Sequence, residues 1–346
     1  MSGRSRRATL GAALAVALVA GVVLSAAVGQ LAIPATEVVG AWLRGLGVHT
    51  AWAPADDVTT QALWQIRFPR VAMSVLVGAA LAVAGAVMQA IFGNPLAEPG
   101  VVGVSSGAAL GAALAIVSGA ALGSVASVAG LAFAGGVGVT LLVYAMARSN
   151  GRTEVVTLLL TGIAVNAFAG AGLALLLFVG DSAAREQIVF WQLGSLNGSR
   201  WNEVAVVAVL TAVGVAIALA LAARYDLLAL GERTAAHLGV RVERLRIVSI
   251  LVVAVLTGAA VAYAGIIAFV GLVVPHLMRM VLGPAHRGLI LASALGGAVL
   301  LTYADVAART LISGAELPIG LLTSLVGGPF FFWLLRRARS RAGGWA

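Results

Sequence analysis

Long apolar runs separated by short polar segments are the main pattern along this chain. A helix that crosses a lipid bilayer needs about 20 mostly apolar residues. Ten runs have about that length, and they cover residues 8–29, 69–92, 100–118, 121–147, 155–179, 204–223, 247–264, 266–282, 288–304 and 317–335. The pattern predicts an all-α membrane protein of about ten transmembrane helices, in a single transmembrane domain over 1–346 with spans 1–5 in 8–179 and spans 6–10 in 204–335.

Two of the boundaries between spans are set by glycine rather than by charge. Residues 99–147 and 247–278 contain no Asp, Glu or Arg, and each stretch is too long for one span. We divide the first near Gly119 and the second at Gly265, because glycine weakens a helix. The resulting number of spans is even, so both termini are expected on the same side of the membrane.

A segment of the second predicted span recurs in the seventh. Residues 76–85 and 256–265 match at seven of ten positions, and Pro95 recurs at the same offset as Pro275. Five spans separate the copies, so the copies run in opposite directions through the membrane. We therefore predict an inverted internal repeat, an arrangement that recurs in transporters; chance similarity between helices rich in Ala and Gly is the alternative.

The basic residues are distributed unequally between the two sides that these spans define. Sixteen of the 22 arginines fall at the termini and in the connectors 2–3, 4–5, 6–7 and 8–9, and six fall in the remaining connectors. Basic residues close to the spans are enriched on the cytoplasmic side. We expect the N- and C-termini to be cytoplasmic.

Composition also favours a membrane protein over a soluble one. Hydrophobic residues make up 61 % of the chain and charged residues 10 %, whereas a soluble domain is typically about 25 % charged. A net charge of +9 would suggest nucleic acid as the partner of a soluble protein. Membrane topology explains the charge better, so we expect contact with membrane lipid and not with nucleic acid.

The chain lacks the residues that would let it supply its own energy. It contains no lysine and therefore no P-loop, so we expect no catalysis by the chain alone and ATP use by a separate subunit. Ion-coupled transporters usually keep ionisable groups deep in their spans. Here Asp305 and Arg309 come nearest, at a spacing that suits a local ion pair at a span end. An ion-coupled secondary transporter and a membrane enzyme remain as less favoured alternatives.

Several sequence blocks closely resemble the permeases of type II ABC importers, which carry vitamin B12, iron-siderophore complexes and haem across bacterial inner membranes. The blocks are WQIRFPR at 64–70, GAVMQAIFGNPLAEPG at 85–100, GVSSG at 103–107, LGE at 230–232, HLG at 237–239, GIIAFVGLVVPH at 265–276, ADVAAR at 304–309 and ELPIG at 316–320. The resemblance covers nearly the whole chain and implies the type II ABC importer permease fold, embedded in the bacterial inner membrane.

The resemblance also implies partners and the surfaces that meet them. It implies a homodimer of this chain with a translocation path at its axis, two ATP-binding cassette ATPase subunits beneath it and one periplasmic substrate-binding protein above it. In that family, arginines at the positions of Arg67, Arg70 and Arg309 receive carboxylates of the binding protein. Anchoring of Arg67 and Arg70 to lipid phosphate is the alternative.

The longest connector on the arginine-rich side, 224–246, is the candidate surface for an ATPase. Its centre alternates apolar residues with glycine, which indicates short amphipathic helices for a partner groove or the membrane surface. A solvated connector is the alternative. The candidate coupling residues are Leu230, Gly231, Glu232, Ala235, His237, Leu238 and Gly239.

The candidate gate and path residues lie on spans five and ten. The resemblance implies a gate where span five begins, and the residues there and along the path are Thr153, Thr157, Thr161, Asn166 and Ser324. The path is uncharged and rich in glycine, which suits a large amphiphilic cargo. We expect an importer for haem, with ferric siderophores and cobalamin as alternatives, and no permanently bound cofactor.

Overall fold

The computed structural model describes residues 3–119, 125–149, 152–312 and 314–341, and almost all of them are helical. In chain order the α-helices are α1 (Gly3–Ala27), α2 (Ala35–Gly45), α3 (Asp57–Gln61), α4 (Phe68–Phe92), α5 (Val104–Val117), α6 (Val125–Ala147), α7 (Val155–Val179), α8 (Ser182–Leu193), α9 (Trp201–Leu228), α10 (Glu232–His237), α11 (Val242–Ala264), α12 (Val270–Leu282), α13 (His286–Thr310) and α14 (Ile319–Arg341). The shorter elements are a π-helix at Ala62–Arg67, a 3-10 helix at Pro99–Val102, and the antiparallel strands β1 (Arg148–Ser149) and β2 (Arg152–Thr153).

Ten apolar helices occupy the positions of the ten predicted spans in the part of the chain that the structure describes. Seven of them are long and apolar enough to cross a membrane, and α5, α12 and α14 are shorter apolar helices. The prediction of an all-α membrane protein is confirmed. The start of the predicted fourth span, 121–124, lies outside the described residues, as do positions 1–2, 120, 150–151, 313 and 342–346 of the predicted single domain.

The two divisions at glycine coincide with the ends of helices. Helix α5 ends at Val117, and Gly119 has a φ of 74°. Helix α11 ends at Ala264, and Gly265 follows with a φ of 70°, a left-handed value that favours glycine. At both places the backbone therefore turns at a residue without a side chain.

The eighth predicted span, 266–282, is wrong at its beginning. Helix α12 starts only at Val270, because Phe269 has a φ of 68° and interrupts the helix. In the non-helical segment before it Gly265 and Ile267 are buried, and the carbonyl of Ala264 at the end of α11 accepts from the amide of Ser195 at 2.9 Å. Non-helical backbone at membrane depth is tolerated where it is buried in protein in this way.

Helix α4 lies at the centre of the bundle and packs on α9, α11, α12 and α13. Glycines allow the closest of these contacts. A Cβ atom added to Gly85 would overlap the carbonyl oxygen of Gly271 on α12, and one added to Gly78 would overlap that of Gly297 on α13. Small residues let helix backbones approach where lipid provides no hydrophobic drive. The Gly-rich core thus packs backbone against backbone.

The two copies of the predicted repeat fall in α4 and α11, which pack against each other. These are the two most buried of the seven long apolar helices in the described chain, with 78 % and 72 % of their apolar windows inside the bundle. Their continuations differ: α4 runs on past Gly85 to Phe92, whereas α11 stops before the matching Gly265.

Four short helices lie outside the spans, and the apolar pattern did not predict three of them, α2, α3 and α8. The fourth, α10, lies within the predicted coupling segment 224–246. That segment is shorter than predicted, because α9 continues to Leu228 and α11 already begins at Val242. Charged residues at helix ends made both spans look shorter in the sequence than they are.

Candidate functional site

The three arginines that the sequence singled out for docking lie together with two acids, and we call this group the triple-arginine cluster (Arg67, Arg70, Asp305, Arg309 and Glu316). Arg70 donates from Nε and Nη2 to the carboxylate of Asp305 at 3.0 and 2.9 Å, and its Nη2 also contacts Glu316. This two-point contact fixes the guanidinium plane against the carboxylate. The cluster joins the start of α4 to the end of α13.

Arg309 shares the same carboxylate. Its Nε lies 3.1 Å from Oδ2 of Asp305, which confirms the predicted local ion pair one helical turn apart. Its other nitrogens donate to the carbonyl of Val28 at 2.9 Å and to the Oγ of Ser25 at 2.8 Å. Asp305, whose side chain is 1 % exposed, therefore lies between two arginines.

Arg67 binds the end of α1 instead of an acid. It donates to the carbonyls of Ala26 at 2.5 Å and Ala27 at 2.9 Å, and it also contacts the carbonyl of Leu31. The last carbonyls of a helix lack partners within the helix and carry partial negative charge, so a guanidinium there is favourable. Arg67 thus holds the end of α1 against the start of α4.

The predicted docking arginines converge, but little of their surface is exposed. Arg67 and Arg70 are each 8 % exposed. They line, with Arg309, Asn197 and Glu316, a cavity of about 470 Å³. Docking of a partner at these arginines stays a prediction. That the same side chains also hold three helices together could not be predicted, because all their partners except Asp305, four residues before Arg309, lie far away along the chain.

The π-helix Ala62–Arg67 ends with the first of the three arginines and is bound by a residue of α9. π-helices are rare and occur frequently at functional sites. Here the indole Nε1 of Trp201 donates to the carbonyl of Trp64 at 2.7 Å, and the two indole rings are 6.3 Å apart. Trp201, the first residue of α9, thereby fixes the turn that leads into Arg67.

A second polar group, which we call the Thr153 cluster (Tyr144, Thr153, Glu232, Glu243 and Arg246), joins the candidate gate to the candidate coupling segment. Arg246 donates to Oε1 of Glu232 and to the carbonyl of Thr153, both at 2.6 Å. Glu243 accepts from the hydroxyls of Tyr144 and Thr153, each at 2.6 Å. Sequence reasoning missed Arg246, Glu243 and Tyr144, which no spacing along the chain connects to Thr153.

Most of the predicted coupling residues lie on or beside α10, at the surface. Leu230 and Leu238 are 62 % and 56 % exposed, and His237 is exposed as well. Gly231 and Gly239 bracket the helix with φ values of 102° and 86°, whereas Ala235 is fully buried and anchors it. The arrangement exposes one leucine at each end of a short helix that glycines separate from its neighbours.

The predicted path residues are partnered mainly within the chain. Asn166 donates to the carbonyl of Gly100 at 3.2 Å and accepts from the hydroxyl of Ser106 at 2.5 Å, so it ties α7 to the 3-10 helix and α5. The hydroxyl of Thr157 donates to Glu154 at 3.3 Å, and that of Ser324 to the carbonyl of Gly320 at 2.7 Å. These side chains do not converge on one point as cation ligands would.

Burial raises the pKa of the carboxyl of Glu98, which lies just before the 3-10 helix that Asn166 contacts. Among the described residues no group of three or more His, Asp or Glu side chains could hold a metal ion.

Helices α7 and α14 leave large apolar surfaces uncovered. Only 17 % of the apolar window of α7 is buried, and the exposed side chains include Phe168 and Phe178. Leu325 and Val326 of α14 are exposed as well. Thr161 lies on α7, partly exposed between these apolar residues. These surfaces are available to lipid, to a second chain or to a passing cargo.

Comparison with known proteins gives consistent matches over the length of the chain. The model of the FecCD transport family matches residues 17–337. The chain is 42 % identical over 306 residues to the hemin transport system permease protein HmuU of Yersinia pestis, covering 86 % of this chain and 90 % of that protein. It is 44 % identical over 277 residues to the cobalamin import system permease protein BtuC of Halobacterium salinarum, covering 80 % and 74 %.

A solved structure shares the fold. It comes from a transporter described as of the metal-chelate ABC type in an inward-facing conformation. The match has a TM-score of 0.81 at 33 % identity and covers 94 % of this chain and 98 % of that one.

Proposed function

The chain belongs to the FecCD transport family, and on that premise we propose that it is the membrane-spanning permease subunit of an ATP-driven importer for haem. The observation that carries the proposal is the chain-length identity to a hemin permease, 42 % over 306 residues. A fragmentary match would support only the fold. Here the match covers 86 % of this chain and 90 % of that protein, and the family model spans residues 17–337, which include both polar clusters.

The working unit that we propose contains three kinds of component. Two copies of this chain form a homodimer, with the uncovered apolar surfaces of α7 and α14 facing the path between them. A separate ATPase binds at α10, where two exposed leucines flank a short helix. A periplasmic binding protein docks at the triple-arginine cluster. The complex lies in a bacterial inner membrane with both chain termini in the cytoplasm.

The residues of this chain suit passage of a cargo but not hydrolysis of ATP. The chain has no lysine, so a P-loop is impossible and hydrolysis requires another subunit. Its path helices carry glycine and aliphatic residues among few polar side chains, which allows a large amphiphilic macrocycle to pass without tight binding. The polar groups of Asn166 and Ser324 are already satisfied within the chain.

Uptake by a reconstituted complex tests this proposal. The chain would be assembled in liposomes with the ATPase and the binding protein of the same organism, and ATP-dependent accumulation of hemin, cobalamin and a ferric siderophore would be measured side by side. We expect hemin to accumulate and to stimulate ATP hydrolysis. The purified chain without its ATPase is expected to hydrolyse no ATP.

The same experiment separates the alternatives. Accumulation of cobalamin instead of hemin would keep the importer and change its cargo, an outcome for which the 44 % identity to a cobalamin permease gives a reason. Uptake by the chain alone, driven by an ion gradient, would replace the proposal with a secondary transporter.

A further inference from the structure

Thr153, just before α7, is hydrogen-bonded to the first two turns of α11. Every polar group of that residue is engaged there. Its carbonyl accepts from Arg246 at 2.6 Å, its amide donates to Glu243 at 3.2 Å, and its hydroxyl donates to Glu243 at 2.6 Å. Thr153 is buried and lies two residues before α7 begins. Arg246 and Glu243 therefore hold this helix end, together with the pairing of Thr153 to Arg148 in the two-stranded ladder.

Arg246 has a second attachment, on the opposite side of its guanidinium. Nη1 holds the carbonyl of Thr153, and Nη2 holds the carboxylate of Glu232, the first residue of α10. Both distances are 2.6 Å, and the guanidinium itself is buried. Hydrogen bonds that involve charged groups are short and about twice as strong as neutral ones. One planar group thus connects α10 directly to the backbone in front of α7.

The two ends of this connection differ in how firmly the surrounding fold holds them. Glu232 is 59 % exposed, on a helix of six residues that left-handed glycines bracket. Helix α7 packs on α5 and α6 but buries only 17 % of its apolar window within the chain. Glu243 and Arg246, by contrast, belong to α11, of which 72 % is buried.

We propose that Arg246 is a positioning residue that transmits displacement of α10 to the entrance of α7 through the carbonyl of Thr153. The inference rests on the proposed function, because an ATPase bound at α10 is what would displace it. Glu243 keeps Thr153 on the stationary helix α11, and Arg246 links that point to the surface helix. A movement of Glu232 then changes the direction in which α7 leaves the membrane surface.

A single spin label on α7 can report this motion directly. The chain contains no cysteine, so Val156→Cys gives one labelling position, on an exposed residue in the first turn of α7. The complex of this labelled chain with its ATPase would be compared without nucleotide and with ATP and vanadate. We expect the label's mobility to change between the two states. Arg246→Met should reduce this change at least fivefold while the ATPase stays bound.

Conservative and matched variants separate transmission from simple stability. Arg246→Lys keeps the charge but cannot span both acceptors in a fixed plane, so about half of the response should remain. Arg287→Met removes an exposed arginine from the first turn of α13 and should leave the response unchanged. The double variant Glu232→Arg with Arg246→Glu restores the ion pair to α10 but places a carboxylate against the carbonyl of Thr153. It should therefore not restore the response.

Every outcome bears on the proposal. A full nucleotide response in Arg246→Met, or its recovery in the charge-swapped double variant, would overturn it. Should Arg246→Met fail to assemble, Glu232→Gln weakens only the α10 end of the link and should lower the response at least twofold. A labelled parent complex that hydrolyses ATP without moving the label would also refute it. If no ATPase binds the parent chain, the proposed function itself fails, which is visible before any variant is made.

Discussion

The triple-arginine cluster and the Thr153 cluster use the same chemistry under opposite mechanical conditions. In both, arginines bind carboxylates and backbone carbonyls close to helix ends. The first holds α1, α4 and α13, and its central acid, Asp305, is 1 % exposed. The second has an acid that is 59 % exposed, Glu232, on a six-residue helix. One cluster fixes three long helices and the other connects a long helix to a small one at the surface.

This difference shows that contact geometry alone does not define a role. The Arg70–Asp305 contact and the Arg246–Glu232 contact are both short charged hydrogen bonds. Both partners of the Arg70–Asp305 contact are buried, so breaking it would leave an unpaired charge inside the protein. This contact therefore stabilises a fixed arrangement of helices. Exposure of one partner makes the second contact reversible, since water can replace it when α10 moves.

The largest expected effect comes from removing the buried acid. Asp305→Ala leaves Arg70 and Arg309 facing each other without their shared carboxylate. Breaking a buried ion pair by deleting one partner costs about 3–5 kcal/mol. Thermal unfolding of the purified chain in detergent should show this loss, and the amount of protein in the membrane should fall.

Glu316→Gln is the matched control, because that acid binds the same Arg70 but is partly exposed. Its loss of stability should be well below that of Asp305→Ala. Equal effects of the two variants would mean that burial does not distinguish the acids.

The next effect concerns the surface helix and should spare stability. Leu238→Asp places a charge on the exposed surface beside α10 without touching the Thr153 cluster. Transport by the reconstituted complex is expected to fall at least tenfold, through loss of the ATPase or of its coupling, while thermal unfolding changes little. Glu232→Arg should lose transport similarly, because it reverses the charge that Arg246 binds.

Normal transport by both variants would place the ATPase contact elsewhere. The control variant should add the same charge at an exposed residue outside the apolar spans, which excludes Val209→Asp on α9. His49→Asp, in the connector after α2, meets this condition. It should transport as the parent does.

A smaller effect is expected when the triple-arginine cluster is tested for docking. Arg67→Glu should weaken capture of the binding protein about tenfold, and more than Arg67→Ala, because reversal adds repulsion to a partner carboxylate. Affinity for the complex in nanodiscs should also fall as salt is raised. Since Arg67 binds the end of α1, unfolding must be measured in parallel to separate docking from folding.

If both Arg67 variants bind the binding protein with unchanged affinity, the role of Arg67 is only to hold the end of α1 against α4. A Glu-to-Arg change on the binding protein that recovers affinity for Arg67→Glu would show direct pairing.

The smallest effect concerns the π-helix that leads into the same cluster. Trp201→Phe removes the hydrogen bond to the carbonyl of Trp64 but keeps an aromatic ring. One hydrogen bond contributes about 0.5–1.5 kcal/mol, so unfolding should shift by that amount. Binding-protein affinity should change less than threefold. A larger loss of affinity than of stability would show that Trp201 orients the arginines.

The spans could be predicted from the sequence because membrane helices need long uncharged runs, and glycine located the two boundaries that charge did not. The late start of α12 could not, because the positive φ of Phe269 is imposed by its surroundings and leaves no compositional trace. Short helices such as α8 are too mixed in polarity to stand out from a connector. Local sequence patterns therefore predicted the membrane-spanning helices, but not the break before α12 or most of the short helices between the spans.

Most residues of the candidate sites could be predicted from the sequence, but most of the contacts between them could not. The docking role of the arginines came from resemblance to known permeases, and the residues of α10 came from the longest connector on the arginine-rich side. Neither source carries information on burial. Arg246 and Thr153 are 93 positions apart, and nothing local in either suggests the other. Only the packing of α11 beside the start of α7 reveals that the guanidinium of Arg246 binds both the predicted gate and the predicted coupling segment.

The overlap that any side chain at Gly85 would make with the carbonyl of Gly271 has an evolutionary consequence. A clash between two side chains can be relieved by a second substitution that makes the neighbour smaller. Here the obstructing atom is a backbone oxygen, which every amino acid carries, so no compensating substitution at position 271 exists. Among descendants of this sequence, position 85 is free to change only in lineages whose α4 and α12 have first moved apart.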